Sequence, residues 1–267
     1  MIACMLCFTN TAFAGEVQEH ITVSECTSDQ VSYLKYTAGK TDDVVFVLHG
    51  LGDNKTVRDE LARQLARGGF DVIKPDAYSH GASPGNGSVI IENVIKGREM
   101  IDSIIEREQY QDKNIYLFGW SMGGMTEFYY AANGKYPIKG IVSLISTPDF
   151  ESVKGIPLFY EKYRDKEYLG TEDQDTVDLL MKESNPLTVL LQKQICIPMY
   201  WLSGMTDAYM PIGAIQKAAV RLGVERYIER EKTGHTVTDE EFTEAADWLI
   251  DLAKRNHSFA RNRYLQK

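Results

Sequence analysis

The pentapeptide Gly119-Trp120-Ser121-Met122-Gly123 constrains this chain more than any other stretch. It follows the apolar run Ile115-Tyr116-Leu117-Phe118 and precedes a helix-forming run that opens Gly124-Met125-Thr126. A serine between two glycines, where a strand turns at once into a helix, is the setting of a nucleophile elbow. Such a turn forces the serine backbone into a strained conformation that a neighbouring Cβ would crowd, so Gly119 and Gly123 have a physical job. The plain alternative is a pair of glycines that lets a helix lie close on a sheet. The strand before and the helix after favour the elbow.

The segments around the pentapeptide alternate. Val44 to Leu48 is a continuous apolar run, as expected of a strand buried on both faces, and it ends at His49-Gly50. Val57 to Arg67 carries the 3.6-residue period of a surface helix and stops at Gly68-Gly69. Phe70 to Lys74 reads as a strand, and Ile90, Ile91, Val94, Ile101, Ile104 and Ile105 as one helix face. Met122 to Asn133 is the helix after the serine. Strands over Ile141 to Ile145, Pro198 to Ser203 and Tyr227 to Glu231 follow, with helices over Ile212 to Leu222 and Thr238 to Lys254. This order predicts an α/β fold, a mostly parallel central sheet with helices on both faces. Functional residues of such sheets collect at the carboxyl ends of the strands.

Two segments stand outside the alternation. Val17 to Val23 and Val31 to Tyr36 read as an antiparallel pair ahead of the first buried strand. Residues 150–194 are too long for a loop and carry Phe159-Tyr160, Tyr163, Tyr168, Leu179-Leu180-Met181 and Leu187. They read as a small helical lid; the plainer reading is one crossover helix between long loops.

The first residues differ from the rest. Ile2 to Phe8 is apolar, and Ala12-Phe13-Ala14 precedes Gly15-Glu16, which matches the apolar core and A-x-A end of a secretory signal peptide. No Lys or Arg precedes the apolar stretch, and a first strand is the competing reading. With residues 1–14 as a signal, residues 15–267 form one domain, exported to the periplasm or medium; otherwise the protein is cytoplasmic. Cys4 and Cys7 would leave with the signal, and Cys26 and Cys196 read as two unpaired thiols.

An apolar fraction of 43% and a charged fraction of 25% are those of a folded globular protein, and no later segment approaches a membrane span. A net charge of −9, with no stripe of Lys and Arg, argues against a nucleic-acid partner. The histidines and carboxylates lack metal-ligand spacing, so no metal and no cofactor is expected.

A serine hydroxyl at neutral pH needs a base within hydrogen-bond reach, and that base needs an acid to hold its tautomer. Of five histidines, His20 lies in the first strand and His257 in the polar tail. His49 and His80 could lie near the site. His235, in Thr233-Gly234-His235 between the last strand and last helix, is the best placed. Asp207 closes Trp201-Leu202-Ser203-Gly204-Met205-Thr206-Asp207 just beyond a strand and is the candidate acid; Asp149 is the fallback, and Asp239 reads as a helix cap. A tetrahedral intermediate needs two backbone donors. Met122 N–H supplies one and Leu51 N–H, in Gly50-Leu51-Gly52, the other, with His49 bracing that turn.

The order His49-Gly50, Pro75-Asp76 with His80-Gly81, Gly119 to Gly124, Gly204-Met205-Thr206-Asp207 and Gly234-His235-Thr236 resembles the α/β-hydrolase superfamily over about Val44 to Ala253. The segments Pro75-Asp76-Ala77 and His235 to Glu240, with the short lid, are similar to small bacterial carboxylesterases of the dienelactone-hydrolase and prolyl-oligopeptidase-like branch. The chain has serine where dienelactone hydrolases have cysteine. The resemblance implies an α/β-hydrolase fold and a metal-independent serine esterase that works through an acyl-enzyme on a small-molecule ester. Trp120, Phe159, Tyr160, Tyr163 and Tyr209 are then candidates to line an apolar pocket, against core packing as the plain alternative. A peptidase or amidase is the other enzymatic reading, and a non-catalytic binding protein on the same scaffold the reading from another class.

Overall fold

The computed structural model describes residues 21–264, with side chains through residue 258; the expected signal segment and His20 lie outside the described residues. The chain enters as a hairpin of β1 (Thr22–Ser28) and β2 (Val31–Thr37). Asp29 and Gln30 turn it, both at positive φ, 45° and 70°, the twist that a tight two-residue hairpin requires. The first strand therefore runs through Ser24-Glu25, later than its apolar residues suggest. It is an edge strand exposed along most of its length, so it carries no apolar alternation to read.

From there strand and helix alternate: β3 (Asp43–Leu48), α1 (Asp59–Arg67), β4 (Asp71–Pro75), α2 (Ile90–Arg107), β5 (Asn114–Trp120), α3 (Met122–Asn133) and β6 (Ile138–Leu144). After an insertion come β9 (Met199–Gly204), α6 (Ile212–Leu222), β10 (Arg226–Arg230) and α7 (Asp239–Tyr264). The insertion holds two 3₁₀ turns (Phe150–Val153 and Pro157–Tyr160), a hairpin of β7 (Glu161–Arg164) and β8 (Glu167–Thr171), and helices α4 (Gln174–Glu183) and α5 (Pro186–Gln192). The hairpin is an addition to the expected helices. Its turn, Asp165-Lys166, takes positive φ at both positions without the glycine or asparagine that usually marks such a turn.

Eight strands form one sheet in the order β1-β2-β4-β3-β5-β6-β9-β10. β1 and β2 pair antiparallel, as do β2 and β4; every other pairing is parallel. Alternation along the buried strands feeds two cores. Val44, Phe46, Ile115 and Leu117 pack beneath α2, α3, α5 and α6, while Val45, Val47, Tyr116 and Phe118 pack beneath α1 and α7. Burying each such side chain contributes about 1.5–3 kcal/mol. β3 and β5, buried at almost every residue, therefore take the centre of the sheet and carry Gly50 and Ser121 at their carboxyl ends.

Candidate active site

β5 ends at Trp120 and α3 starts at Met122, so Ser121 alone turns the chain. It does so at φ 53°, ψ −120°, outside the ordinary regions for a residue with a Cβ. Its N–H donates to Leu144 O at 3.0 Å, and its carbonyl accepts from Met125 N at 3.0 Å, so strand and helix both hold the strain. The two glycines fit the sequence argument. A Cβ on Gly123 would stand 2.1 Å from Leu48 O, and one on Gly119 2.7 Å from the carbonyl carbon of Gly123.

Ser121 Oγ lies 2.7 Å from His235 Nε2, and His235 Nδ1 lies 2.7 Å from Asp207 Oδ2. Asp207 follows β9 in a turn that aims the N–H groups of Tyr209 and Met210 at its other oxygen, at 2.8 and 3.0 Å. Those two bonds fix the carboxylate, which is almost wholly buried. As a pure acceptor it selects the His235 tautomer with hydrogen on Nδ1, leaving Nε2 to accept from the serine hydroxyl. The loops that carry acid and imidazole are joined by Thr206 N donating to Thr233 O and Met205 N donating to Arg230 O. The arrangement can take a proton from Ser121 and stabilise the resulting imidazolium.

The turn after β3 is fastened from behind. Burial, with His80 adding to it, pushes His49 down to about 4, so this ring is neutral. Its Nδ1–H donates to Gly50 O at 2.8 Å, and its Nε2 accepts from Ala77 N at 3.0 Å. His80, also lowered by burial, accepts from Gly52 N at 3.2 Å and stacks on Tyr163. Asp76 accepts from Lys55 N, Lys55 Nζ and Ala82 N at 2.6, 2.9 and 2.9 Å. Three ties thus join the loops after β3 and β4. Within this frame the Leu51 and Met122 amides have no acceptor among the described residues.

A cleft of about 290 Å³ opens beside Ser121 and His235, walled by Trp120, Ile145, Val237 and Phe242 with Asp53, Arg58 and Thr236. Trp120 packs edge-on against Phe242 and donates from Nε1 to Asp53 Oδ2 at 3.1 Å. Arg58 lies over the Phe242 ring and pairs with Asp239. Of the five expected pocket residues, Trp120 lines this cleft. Tyr209, half-exposed, stands edge-on to His235, and Tyr163 packs behind the Gly52 turn. Phe159 and Tyr160 do not face the site. Both are buried in the core on the α3 face, and the Tyr160 hydroxyl donates to Asp178. The fallback acid Asp149 accepts from Asn185 in the insertion. Asp53, Arg58, Phe242, Lys55 and Asp76 were not singled out as site residues from sequence. Of these only Asp76 carries a sequence signal, in Pro75-Asp76.

Among the described residues Cys26 and Cys196 are unpaired thiols. Among the described residues no group of three or more His, Cys, Asp or Glu side chains is spaced to hold a metal ion, and no helix is long and apolar enough to cross a membrane.

Residues 43–164 match the family described as alpha/beta hydrolase fold. The chain is 30% identical over 106 residues to monoglyceride lipase of Mus musculus, a segment covering 39% of this chain and 35% of that protein. It is 28% identical over 120 residues to pimeloyl-[acyl-carrier protein] methyl ester esterase of Sodalis glossinidius, covering 45% of this chain and 43% of that protein. These matches span well under two thirds of either relative. An esterase structure from Pyrococcus furiosus superposes with a TM-score of 0.63 at 18% identity, over 88% of this chain and 92% of that one.

Proposed function

We propose that this chain, which belongs to the α/β-hydrolase superfamily by fold and family match, is a serine hydrolase of carboxylic esters. The observation that carries the reading is the run Ser121 Oγ, His235, Asp207, with both links at 2.7 Å, on a serine held strained between strand and helix. Hydrolase relatives named for ester cleavage support it.

In this reading Ser121 Oγ attacks the ester carbonyl carbon as its proton passes to His235 Nε2, and Asp207 offsets the charge of the imidazolium. The carbonyl oxygen becomes an oxyanion beside the Leu51 and Met122 N–H groups. Collapse expels the alcohol oxygen, which takes the proton from His235, and leaves an acyl-Ser121 ester. Water, deprotonated by the same nitrogen, then releases the acid. The cleft beside Trp120 receives one arm of a small-molecule ester.

The test is Ser121→Ala against wild type on short p-nitrophenyl esters, with fluorophosphonate labelling in parallel. Wild type should turn over and label, and the variant should do neither. Turnover by the pure variant would overturn the mechanism, and an unlabelled wild type would favour a binding role. Matched amides in the same assay separate an esterase from an amidase. Export by residues 1–14 belongs to the same proposal: the native protein should begin at Gly15, and one that begins at Met1 refutes it.

A further inference from the structure

Glu127 lies on α3, six residues beyond Ser121, and is wholly buried. A helix buried on almost every side, among them Met125, Phe128 and Tyr130, has no ordinary use for a carboxyl group. Among the described residues neither of its oxygens has a hydrogen-bond partner of good geometry, and the same holds for Ser143 Oγ, at the end of β6, and Ser146 Oγ, in the turn beyond it. These hydroxyls press on the first turn of α3: a Cβ on Gly124 would lie 2.7 Å from Ser146 Oγ and 2.8 Å from Ser143 Oγ. Polar atoms enclosed together behind a strained serine call for an account.

No cation provides one. The side chain that eases ionisation of Glu127 is Ser143, and among the described residues no charged or titratable group contributes from any neighbouring element. Burial holds the carboxyl well above its ordinary range, so it keeps its proton. A neutral carboxylic acid has one O–H donor and one free acceptor oxygen, and each serine hydroxyl has both roles as well. A serine hydroxyl can pair with the carboxyl group in either state, so it is burial and not the serines that keeps Glu127 uncharged.

We propose that Glu127 is a positioning residue for Ser121: its buried carboxyl group braces the first turns of α3 against Ser143 at the end of β6. That turn carries Met122 N–H, and Ser121 N is bonded to Leu144 O of the same strand, so the brace acts on nucleophile and oxyanion donor together. The inference rests on the serine-hydrolase reading of the site.

The sign of the pH effect follows from proton counting. Above its ordinary value of 4.5 the unfolded chain has released this proton and the folded chain holds it, so stability falls as pH rises until Glu127 ionises in the folded state. Gln keeps the shape and removes the titration. Thermal midpoints of wild type and Glu127→Gln should therefore diverge as pH rises above the ordinary carboxyl value of 4.5, wild type losing about 2–4 °C per pH unit relative to the variant. At pH 7 Glu127→Gln should label with fluorophosphonate within about twofold of wild type, whereas Glu127→Met should slow labelling and kcat about tenfold or more with KM little changed. Parallel midpoint curves, or a Glu127→Met that labels as fast as wild type, would overturn the proposal. Should Glu127→Met fail to fold, Ser143→Ala replaces it with the same expectation for kcat. If wild type does not label, the positioning role falls with the hydrolase reading; the midpoint curves, which need no activity, then report separately whether Glu127 is buried uncharged.

Discussion

Replacing Lys55 by Met isolates what holds the turn after β3. The Asp76 carboxylate is 1% exposed and the Lys55 side chain 10%, and their oxygen and nitrogen stand 2.9 Å apart. Glu25 also reaches Lys55, at 3.2 Å, but is 65% exposed and contributes little. Methionine keeps the stem and deletes the charge, leaving a buried carboxylate without its cation. Breaking such a pair costs about 3–5 kcal/mol. Here the Lys55 and Ala82 N–H groups still hold the carboxylate, at 2.6 and 2.9 Å, which sets the expectation at the lower end, about 3 kcal/mol. Urea unfolding at pH 7 should show the midpoint falling by roughly 1 M for a slope of about 3 kcal/mol per M. Lys55→Met with Asp76→Asn removes the stranded charge, so the double variant should recover at least about half of that loss. A single variant within about 1 kcal/mol of wild type, or two substitutions whose losses simply add, would refute the argument that this pair fastens the turn.

Asp207→Asn should leave the thermal midpoint near wild type and lower kcat on p-nitrophenyl esters by about 10⁴-fold, because an amide does not select the Nδ1–H tautomer of His235; a loss under tenfold would count against the assigned roles. His49 supplies an acid limit. Its folded value of about 4 lies below the unfolded 6.5, so the unfolded chain binds the extra proton first and stability is lost as pH falls from 6.5 toward 4, by about 3 kcal/mol at full extent. Urea midpoints across that window should fall more steeply for wild type than for His49→Gln, and equal slopes would refute the burial argument.

Ser121 and Asp207 stand out in the sequence because each lies just beyond a buried strand that a continuous apolar run marks plainly; His235 follows the half-exposed β10 and is legible only by its place between the last strand and the last helix. The wall of the cleft could not. Arg58 enters with α1 and Phe242 with α7, and the contact between them joins residues 184 positions apart. Nothing local distinguishes Phe242 from the other core-facing residues of its helix, such as Ala245 and Leu249. Phe159 and Tyr160 fail in the opposite sense: an aromatic pair in an insertion near a site reads equally well as pocket or core, and packing beneath the 3₁₀ turns sends both inward.

Glu127 marks the boundary between the two kinds of information. Helical periodicity assigns a charged residue to solvent unless a partner of opposite charge is available, and here the neighbours are serines that periodicity cannot bring near. Ser143 and Ser146 reach α3 only because β5 and β6 pair in parallel, with Gly119 opposite Ser143, which sets the end of β6 against the elbow. The polar surroundings of Glu127 are therefore a property of strand register, while burial sets its proton. A sequence reading that places Ser121 at the turn between strand and helix still misses the group behind it, because local motifs mark the turn and the packed sheet specifies what supports it.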